Sequence, residues 1–272
     1  MKISLSIVLY QTDKNELLKL VDNIFSTKQD FLLYLIDNSP SDYLKLVVGN
    51  LERLIYIHNP SNPGFGAAHN IAIKSSIDEG IQFHFIVNPD ISFSGDVITP
   101  MVEYMLSDNS IGMLMPKILN NDGTTQYLPK LLPSPFWILR RKFKFPRDGF
   151  EKFVSKYELR SESENEIFNA PLLSGCFTLI NLCAIKKVGM YDDKFFMYFE
   201  DFDLSRRIHN EYKTIYFPKV SVFHGYEGGA NKNLRLFRIF VNSAIHYFSK
   251  WGWIFDRDRV LINKKALQQF NR

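Results

Sequence analysis

An α/β fold, a mostly parallel sheet with helices on both faces, is what this chain predicts, and three observations predict it. Through the first 120 residues, strand-like and helix-like segments alternate with short connectors, the order that a parallel sheet with crossover helices requires. The strand segments, FLLYLID and FHFIV among them, are near-continuous apolar runs, as expected of strands buried on both sides. Four successive strand ends carry polar turns, at Tyr10, Asp37-Asn38, Asn59 and Asn88-Pro89-Asp90, and sheets of this kind bind ligands beyond the carboxyl ends of their strands.

Taken in order, ISLSIVLY reads as the first strand and a polar helical stretch follows from Asp13. FLLYLIDN is the second strand, a short helix lies near Tyr43, RLIYIHN is the third strand, AAHNIAIKSSIDEG is helical, and FHFIVNPD is the fourth strand. The texture changes over 128–170, where PKLLPSPFWILRRKFKFPRDGF is rich in proline, aromatics and basic residues and SESENE is acidic. An irregular insertion is expected there. Regular structure resumes at Pro171 with an apolar strand, a short helix over 184–188, strands at TIYFP and VSVFHG, and a long basic-aromatic helix from near Lys232. The expected division is a main unit over 1–230, with halves 1–120 and 171–230 around the insertion, and a helical extension over 231–272.

The 272 residues are 46% hydrophobic and 23% charged, an ordinary globular composition able to bury a substantial core. Aromatics reach 15%, a surplus that suggests an apolar cleft or contact surface as well as a core. A net charge of +4 is too mild for nucleic acid to be the main partner. Cys176 and Cys183 show no CxxC or Cys/His spacing and read as reduced core residues. The N-terminus reads as a strand rather than a signal peptide, and no apolar run approaches the ~20 residues that span a bilayer. A cytosolic protein, resting on a membrane at most, is the expectation.

Chemistry concentrates in FFMYFEDFDLSRR, where Glu200, Asp201 and Asp203 follow five mostly aromatic residues. Apolar neighbours desolvate a carboxylate, raise its basicity and fit it to take a proton from a hydroxyl. A helix start explains the same acids, since they are favoured in a first turn, and on these residues alone it is the stronger reading. In NPGFGAAHN, Gly64 and Gly66 permit close backbone approach to a ligand at a helix N-terminus, flanked by Asn62 and Asn70; a plain turn explains the glycines equally well. Asp37 and Asn38 at a strand end suit a base imide or a ribose hydroxyl, or form an Asx turn. Asp90, in Asn88-Pro89-Asp90, would be aimed at a diphosphate, and one carboxylate with phosphate oxygens is a normal ligand set for Mg2+ or Mn2+; an Asn-Pro-Asp turn is also a sufficient structural reason. His224 ends VSVFHG beside Gly225, Gly228 and Gly229, where it could reach a metal or phosphate, although a lone histidine is more often structural.

Together SIVLY, IDNSPSD, NPGFGAAHNIAI, FIVNPD, LLSGCFTLINLCAIKKVGMYDDKFFMYFEDFDLSRRI and FHGYEGG resemble the family 2 glycosyltransferases, in particular their bacterial rhamnosyltransferase-like group, over nearly the whole chain. The resemblance implies a GT-A fold and inverting transfer from a nucleoside-diphosphate sugar. It implies that Asp201 deprotonates the acceptor hydroxyl, with Glu200 and Asp203 shaping the acceptor and donor sides. Asp90 resembles the metal-binding acid and His224 a histidine completing the metal and diphosphate site. Tyr10, Asp37, Asn38, Asn62, Gly66, Asn70 and Asn88 fall where the nucleotide sugar is held. Many relatives carry DxD; here Asn88 replaces the first acid, which weakens metal affinity, although NPD is common in the rhamnosyltransferase-like group.

The donor implied is dTDP-L-rhamnose, with a UDP-hexose, UDP-GlcNAc or UDP-galactofuranose as alternatives, and the acceptor a lipid-linked saccharide of surface polysaccharides such as O-antigen. Basic residues mixed with aromatic anchors in NKNLRLFRIFVNSAIHYFSKWGWIFDRDR and RRKFKFPRD suit a helix in a headgroup layer and equally a helix packed on the main unit. A sugar nucleotidyltransferase would show a glycine-rich basic loop where Tyr10-Gln11-Thr12-Asp13 stands. A noncatalytic nucleotide-sugar-binding module is the third class.

Overall fold

A computed structural model describes residues 1–160, 164–225 and 233–270. Its first half follows the expected alternation: β1 (Lys2–Leu9), α1 (Lys14–Phe25), β2 (Asp30–Asp37), α2 (Tyr43–Val48), β3 (Leu54–His58), α3 (Phe65–Asp78) and β4 (Phe83–Val87). Asp13 caps α1 by accepting from the Asn15 and Glu16 amides, and Leu17, Leu20, Val21 and Ile24 form its buried stripe. Both faces of β2 are covered, because side chains alternate across a strand. Leu33 and Leu35 join the main core with Leu17 and Leu20 of α1, while Leu32, Tyr34 and Ile36 pack with Ala68 and Ala72 of α3.

The second half comprises β5 (Ile91–Ser92), α4 (Ile98–Leu106), β6 (Ile111–Leu119), α5 (Pro135–Phe143), α6 (Phe150–Tyr157), β7 (Phe168–Asn169), β8 (Phe177–Asn181), α7 (Leu182–Val188), α8 (Glu200–Glu211), β9 (Lys213–His224), α9 (Leu234–Trp251) and α10 (Arg257–Gln268). The strands make one nine-stranded mixed sheet in the order β3-β2-β1-β4-β8-β6-β9-β5, with β7 also on β9. Pairing is parallel from β3 to β4, whereas β8 runs antiparallel to both β4 and β6. The two strands expected at TIYFP and VSVFHG are one strand, β9, whose pairing with β6 jumps from Pro116–Phe217 to Lys117–Ser221. Pro218, in that jump, cannot donate to the ladder, and a bulge accommodates it.

Two expectations need correction. The 128–170 segment is not irregular, since it contains α5 and α6. Ser134 caps α5 by accepting from the Trp137 amide, with Pro135 in the first turn, where proline favours a helix. Trp137, Phe153 and Tyr157 then hold the two helices together through ring contacts of 5.6–5.9 Å. Cys183 is exposed; only Cys176 is buried. The C-terminal helices are fastened to the main unit: Arg206 of α8 donates two 2.7 Å bonds to Asp256, both side chains nearly inaccessible, and its guanidinium lies 4.1 Å from the Trp251 ring centre. The bounds near Lys232 and the cluster members Gly228 and Gly229 lie outside the described residues.

Beneath the sheet ends, α3 is tied to β1 and β4 by a buried polar chain. The Ser6 hydroxyl bridges His69 Nδ1 and His84 Nε2, each at 2.7 Å, and Ser4 meets His84 Nδ1 at 2.7 Å. Burial holds His84 down at about 3 and His69 well below the usual range. Both therefore stay neutral in the folded chain at pH values where the unfolded chain has charged them. The unfolded state binds more protons between about pH 6.5 and 3, so stability is lost as the pH is lowered through that window, by about 1.4 kcal/mol per pH unit per histidine. Thermal unfolding followed from pH 7 to pH 5 is expected to show the loss; a flat profile would contradict the neutral pair.

Candidate active site

The sheet's parallel strands end in a polar network. Asp37, fully buried, accepts from the Tyr56 hydroxyl and, at 2.9 Å, from the Ser39 amide. Asn38 accepts from Asn59 Nδ2 at 3.1 Å and donates to Asn62 Oδ1 at 3.3 Å. Asn62 holds φ = 44°, a left-handed turn that asparagine tolerates. Tyr10, beyond the end of β1, is exposed. The four residues thus gather at one edge of the sheet.

The glycine turn behaves differently from its expectation. A Cβ on Gly64 would lie 2.3 Å from the Phe196 carbonyl oxygen, and one on Gly66 2.8 Å from Tyr191 Cβ. What these glycines admit is the chain's own 190–196 segment, so packing against Tyr191 is by itself sufficient reason for Gly66. Asn70 is likewise committed: it donates to the Tyr191 carbonyl (2.9 Å) and to Asp193 (2.8 Å) and accepts from the Tyr191 amide (3.0 Å). Both residues clamp the segment that leads into α8.

Asn88, Asp90 and His224 do converge. His224 Nε2 lies 3.4 Å from Asp90 Oδ2 and 3.3 Å from Asn88 Nδ2. Gln126 sets the tautomer: its amide nitrogen donates to the His224 carbonyl (2.9 Å), so its oxygen must accept from Nδ1 at 3.1 Å. Nε2 then faces the Asp90 carboxylate. Asp90 Oδ1 and Asn88 Oδ1 are buried without a hydrogen-bond partner among the described residues. Such an electron-rich cluster, with its imidazole oriented from behind, fits a hard divalent cation. No group of three or more His, Cys, Asp or Glu with metal-binding geometry occurs among the described residues, so most ligands would come from a diphosphate and water.

On the other side, Glu200, Asp201 and Asp203 open α8. Two consecutive aromatics before it, Tyr198 and Phe199, hold φ of 69° and 64°, a conformation that costs bulky residues energy and persists only where packing enforces it. Phe195 and Phe199 are locked into a buried cluster with Tyr247 and Phe248 of α9. These aromatics are core, and their packing sets the angle at which the acids emerge.

The three acids have different fates. Asp203 is fully buried and held by Arg207 (2.8 Å), Lys250 (2.8 Å) and Trp251 Nε1 (2.9 Å), and it joins α8 to α9. Glu200 is buried with Oε2 unpartnered among the described residues, and burial plus the Asp201 charge pushes its carboxyl well above the usual range. Asp201 accepts from the Phe202 amide at 2.9 Å and, at 3.4 Å, from the Gly175 amide. Burial raises its carboxyl too, opposed by the Gly175 hydrogen bond and the nearby Lys130 charge. The environment thus raises both neighbouring acids but opposes the rise only at Asp201, through the Gly175 amide and Lys130, and a carboxylate of raised basicity is suited to take a proton from a hydroxyl.

One short segment joins the two halves of the site. The Cys176 carbonyl accepts from the Asn88 amide (2.7 Å), and the adjacent Gly175 amide is the donor to Asp201. Residue reasoning overlooked Lys130 and Gln126. Lys130 is buried, donates to the Leu128 carbonyl at 3.1 Å, and is lowered to about 8, chiefly by burial. A single charge inside the apolar run LPKLLP was its signal; Gln126 had none.

The family model described as glycosyl transferase family 2 matches residues 4–189, and the chain belongs to that family. It is a rhamnosyltransferase-like member with a GT-A fold. An N-acetylglucosaminyl-diphospho-decaprenol L-rhamnosyltransferase of Mycobacterium tuberculosis is 24% identical over 220 residues, covering 73% of this chain and 68% of that protein. Rhamnosyltransferase WbbL of Escherichia coli K12 is 24% identical over 259 residues, 90% of each chain. Among solved structures, GalNAc-T7 with UDP, GalNAc and Mn2+ superposes with a TM-score of 0.61 at 16% identity, over 90% of this chain and 47% of that one. S. aureus TarS gives 0.60 at 13%, over 98% and 43%. The chain spans under half the length of those two solved chains.

Proposed function

We propose that the chain transfers a single sugar, L-rhamnose from dTDP-L-rhamnose, to a hydroxyl of a lipid-linked saccharide during surface glycan assembly, with inversion at the anomeric carbon. The observation that carries this reading is the pairing, through residues 175–176, of a cation-fitting cluster with a poised carboxylate at the end of one sheet. The names of the relatives support the choice of sugar and of a lipid-diphosphate acceptor. Asp201 takes the proton from the attacking hydroxyl, which displaces the nucleoside diphosphate from the opposite face. Glu200, held neutral, keeps a second negative charge away from that base. Asp90 and His224, the latter oriented by Gln126, would hold Mg2+ or Mn2+, with Asn88 beside them. When bound, the cation neutralises the charge that grows on the leaving diphosphate. Tyr10, Asp37, Asn38 and Asn62 border the nucleoside side.

A thermal-shift panel of nucleotide sugars, with and without Mn2+ or Mg2+, tests this directly. A true donor at a hundredfold excess over its Kd stabilises by about 2.7 kcal/mol, so dTDP-L-rhamnose is expected to stand clear of UDP-hexoses. Asp90→Asn is expected to abolish the metal-dependent part of the shift. A UDP sugar leading the panel would replace the donor assignment, and a panel with no responder would contradict nucleotide-sugar binding altogether.

A further inference from the structure

Helix α5 presents apolar side chains on two faces. Inward, Ile138 packs on the buried cluster of Phe195, Phe199, Tyr247 and Phe248, and Trp137 meets Phe153 and Tyr157. Outward, Phe136, Leu139 and Phe143 recur at the spacing of a second helical stripe; all three are exposed, Phe143 by 66%. Phe145, just past the helix, is 72% exposed, and on the turn between α9 and α10 Ile254 and Phe255 reach 77% and 92%. The two regions adjoin, since Arg259 of α10 donates to the Pro133 carbonyl at 3.5 Å and one cavity is lined by Ser134 and Trp137 together with Val260 and Asn263. None of the six residues enters a hydrophobic cluster of the described residues.

Single exposed apolar residues need no explanation, but neighbouring large ones do. Charge identifies what covers them. The helix ends in Arg140, Arg141 and Lys142, and Lys144 and Arg147 follow, both exposed. Arg141 is engaged by the buried Glu158 at 2.9 Å, Arg140 by the Asp148 carbonyl and the Phe153 ring and Lys142 by the Phe237 and Phe240 rings, so the exposed cations of the rim are Lys144 and Arg147, which flank Phe145 in the chain. Protruding phenylalanines rimmed by lysine and arginine complement an anionic headgroup layer over an acyl boundary. No described helix is long and apolar enough to cross a membrane, which makes surface contact the geometry that fits.

We propose that the outer stripe of α5, Phe145 and the Ile254–Phe255 turn form a docking face for an anionic lipid bilayer. It deepens the lipid-linked-acceptor reading and takes its purpose from it, while its chemistry stands on the exposed residues. Flotation of the full chain with phosphatidylcholine vesicles, with and without 30% phosphatidylglycerol, tests the proposal against the triple variant F143S/F145S/F255S. The wild type is expected to float with the anionic vesicles, and the variant to bind them at least tenfold more weakly at an unchanged melting temperature. Its transfer to a short-chain, water-soluble acceptor should equal that of the wild type. Equal flotation of the two proteins would overturn the docking face while leaving sugar transfer intact. Concentration-dependent self-association lost in the variant, with no vesicle binding by the wild type, would assign the face to a second copy of the chain and overturn it as well. Anionic-vesicle binding lost in the variant would sustain the face even where no nucleotide sugar is a substrate.

Discussion

Replacing Asp201 with Asn is expected to lower kcat for sugar transfer by about 10²–10⁴-fold, the usual contribution of a positioned general base, while the thermal shift produced by the donor is retained. The substitution removes the proton acceptor at nearly unchanged shape; its one oxygen can keep the 2.9 Å bond from the Phe202 amide, while the longer 3.4 Å bond from the Gly175 amide, which reaches the other carboxylate oxygen, is lost. Glu200 is a poor substitute, because burial and its neighbour's charge push its carboxyl well above the usual range. Steady-state kinetics with the responding donor, together with donor-induced stabilisation of the same variant, separates the outcomes. Undiminished kcat would remove Asp201 from the chemistry, and loss of donor binding along with kcat would show a structural rather than a proton-transfer defect.

The second large effect is on stability. Asp256→Ala is expected to destabilise the fold by about 3–5 kcal/mol, because it strands the buried Arg206 guanidinium without its carboxylate. It also removes the side chain that accepts from the Arg259 amide at the start of α10. For a chain of this size the loss amounts to roughly 10 °C in melting temperature, readable by calorimetry as a single shifted transition. The prediction follows from the C-terminal helices being built into the catalytic unit: α9 closes the aromatic cluster under the α8 acids, and Asp203 binds Lys250 and Trp251. A small, separate transition affected by the substitution, with the main one unmoved, would instead mean that 231–272 folds as an appendage.

How far these features were legible in the residues depends on whether one partner or two determined them. The strands β1 to β4 and helix α1 were readable because burial on both faces and a 3.6-residue stripe are local patterns. β6 was not anticipated: Pro116 argues against a central strand, and only the register jump opposite Pro218 makes room for it. α5 was obscured by the same residue type, although Pro135 sits where a helix tolerates proline. At the site, Asp90 and His224 were found as strand-end residues, and the structure brings them within 3.4 Å. At Gly66 and Asn70 the same small size and polarity that suggest a ligand contact also serve an internal clamp, whose partner, Tyr191, lies too far along the chain to be read locally. Asp203 could have been separated from its neighbours in sequence, since Arg207 lies four residues on, on the same helical face. Nothing local announced that Lys250 and Trp251 would complete its shell.

The central claim is one-step transfer in which Asp201 serves as the only base, across from the Asp90–His224 cluster. Its most direct test is the anomeric configuration of the first-formed product, read by proton NMR from a reaction with the donor that stabilises the protein. Single displacement predicts a glycoside of configuration opposite to that of the donor. A product that retains the donor's configuration would require a second displacement on this protein and would contradict the account.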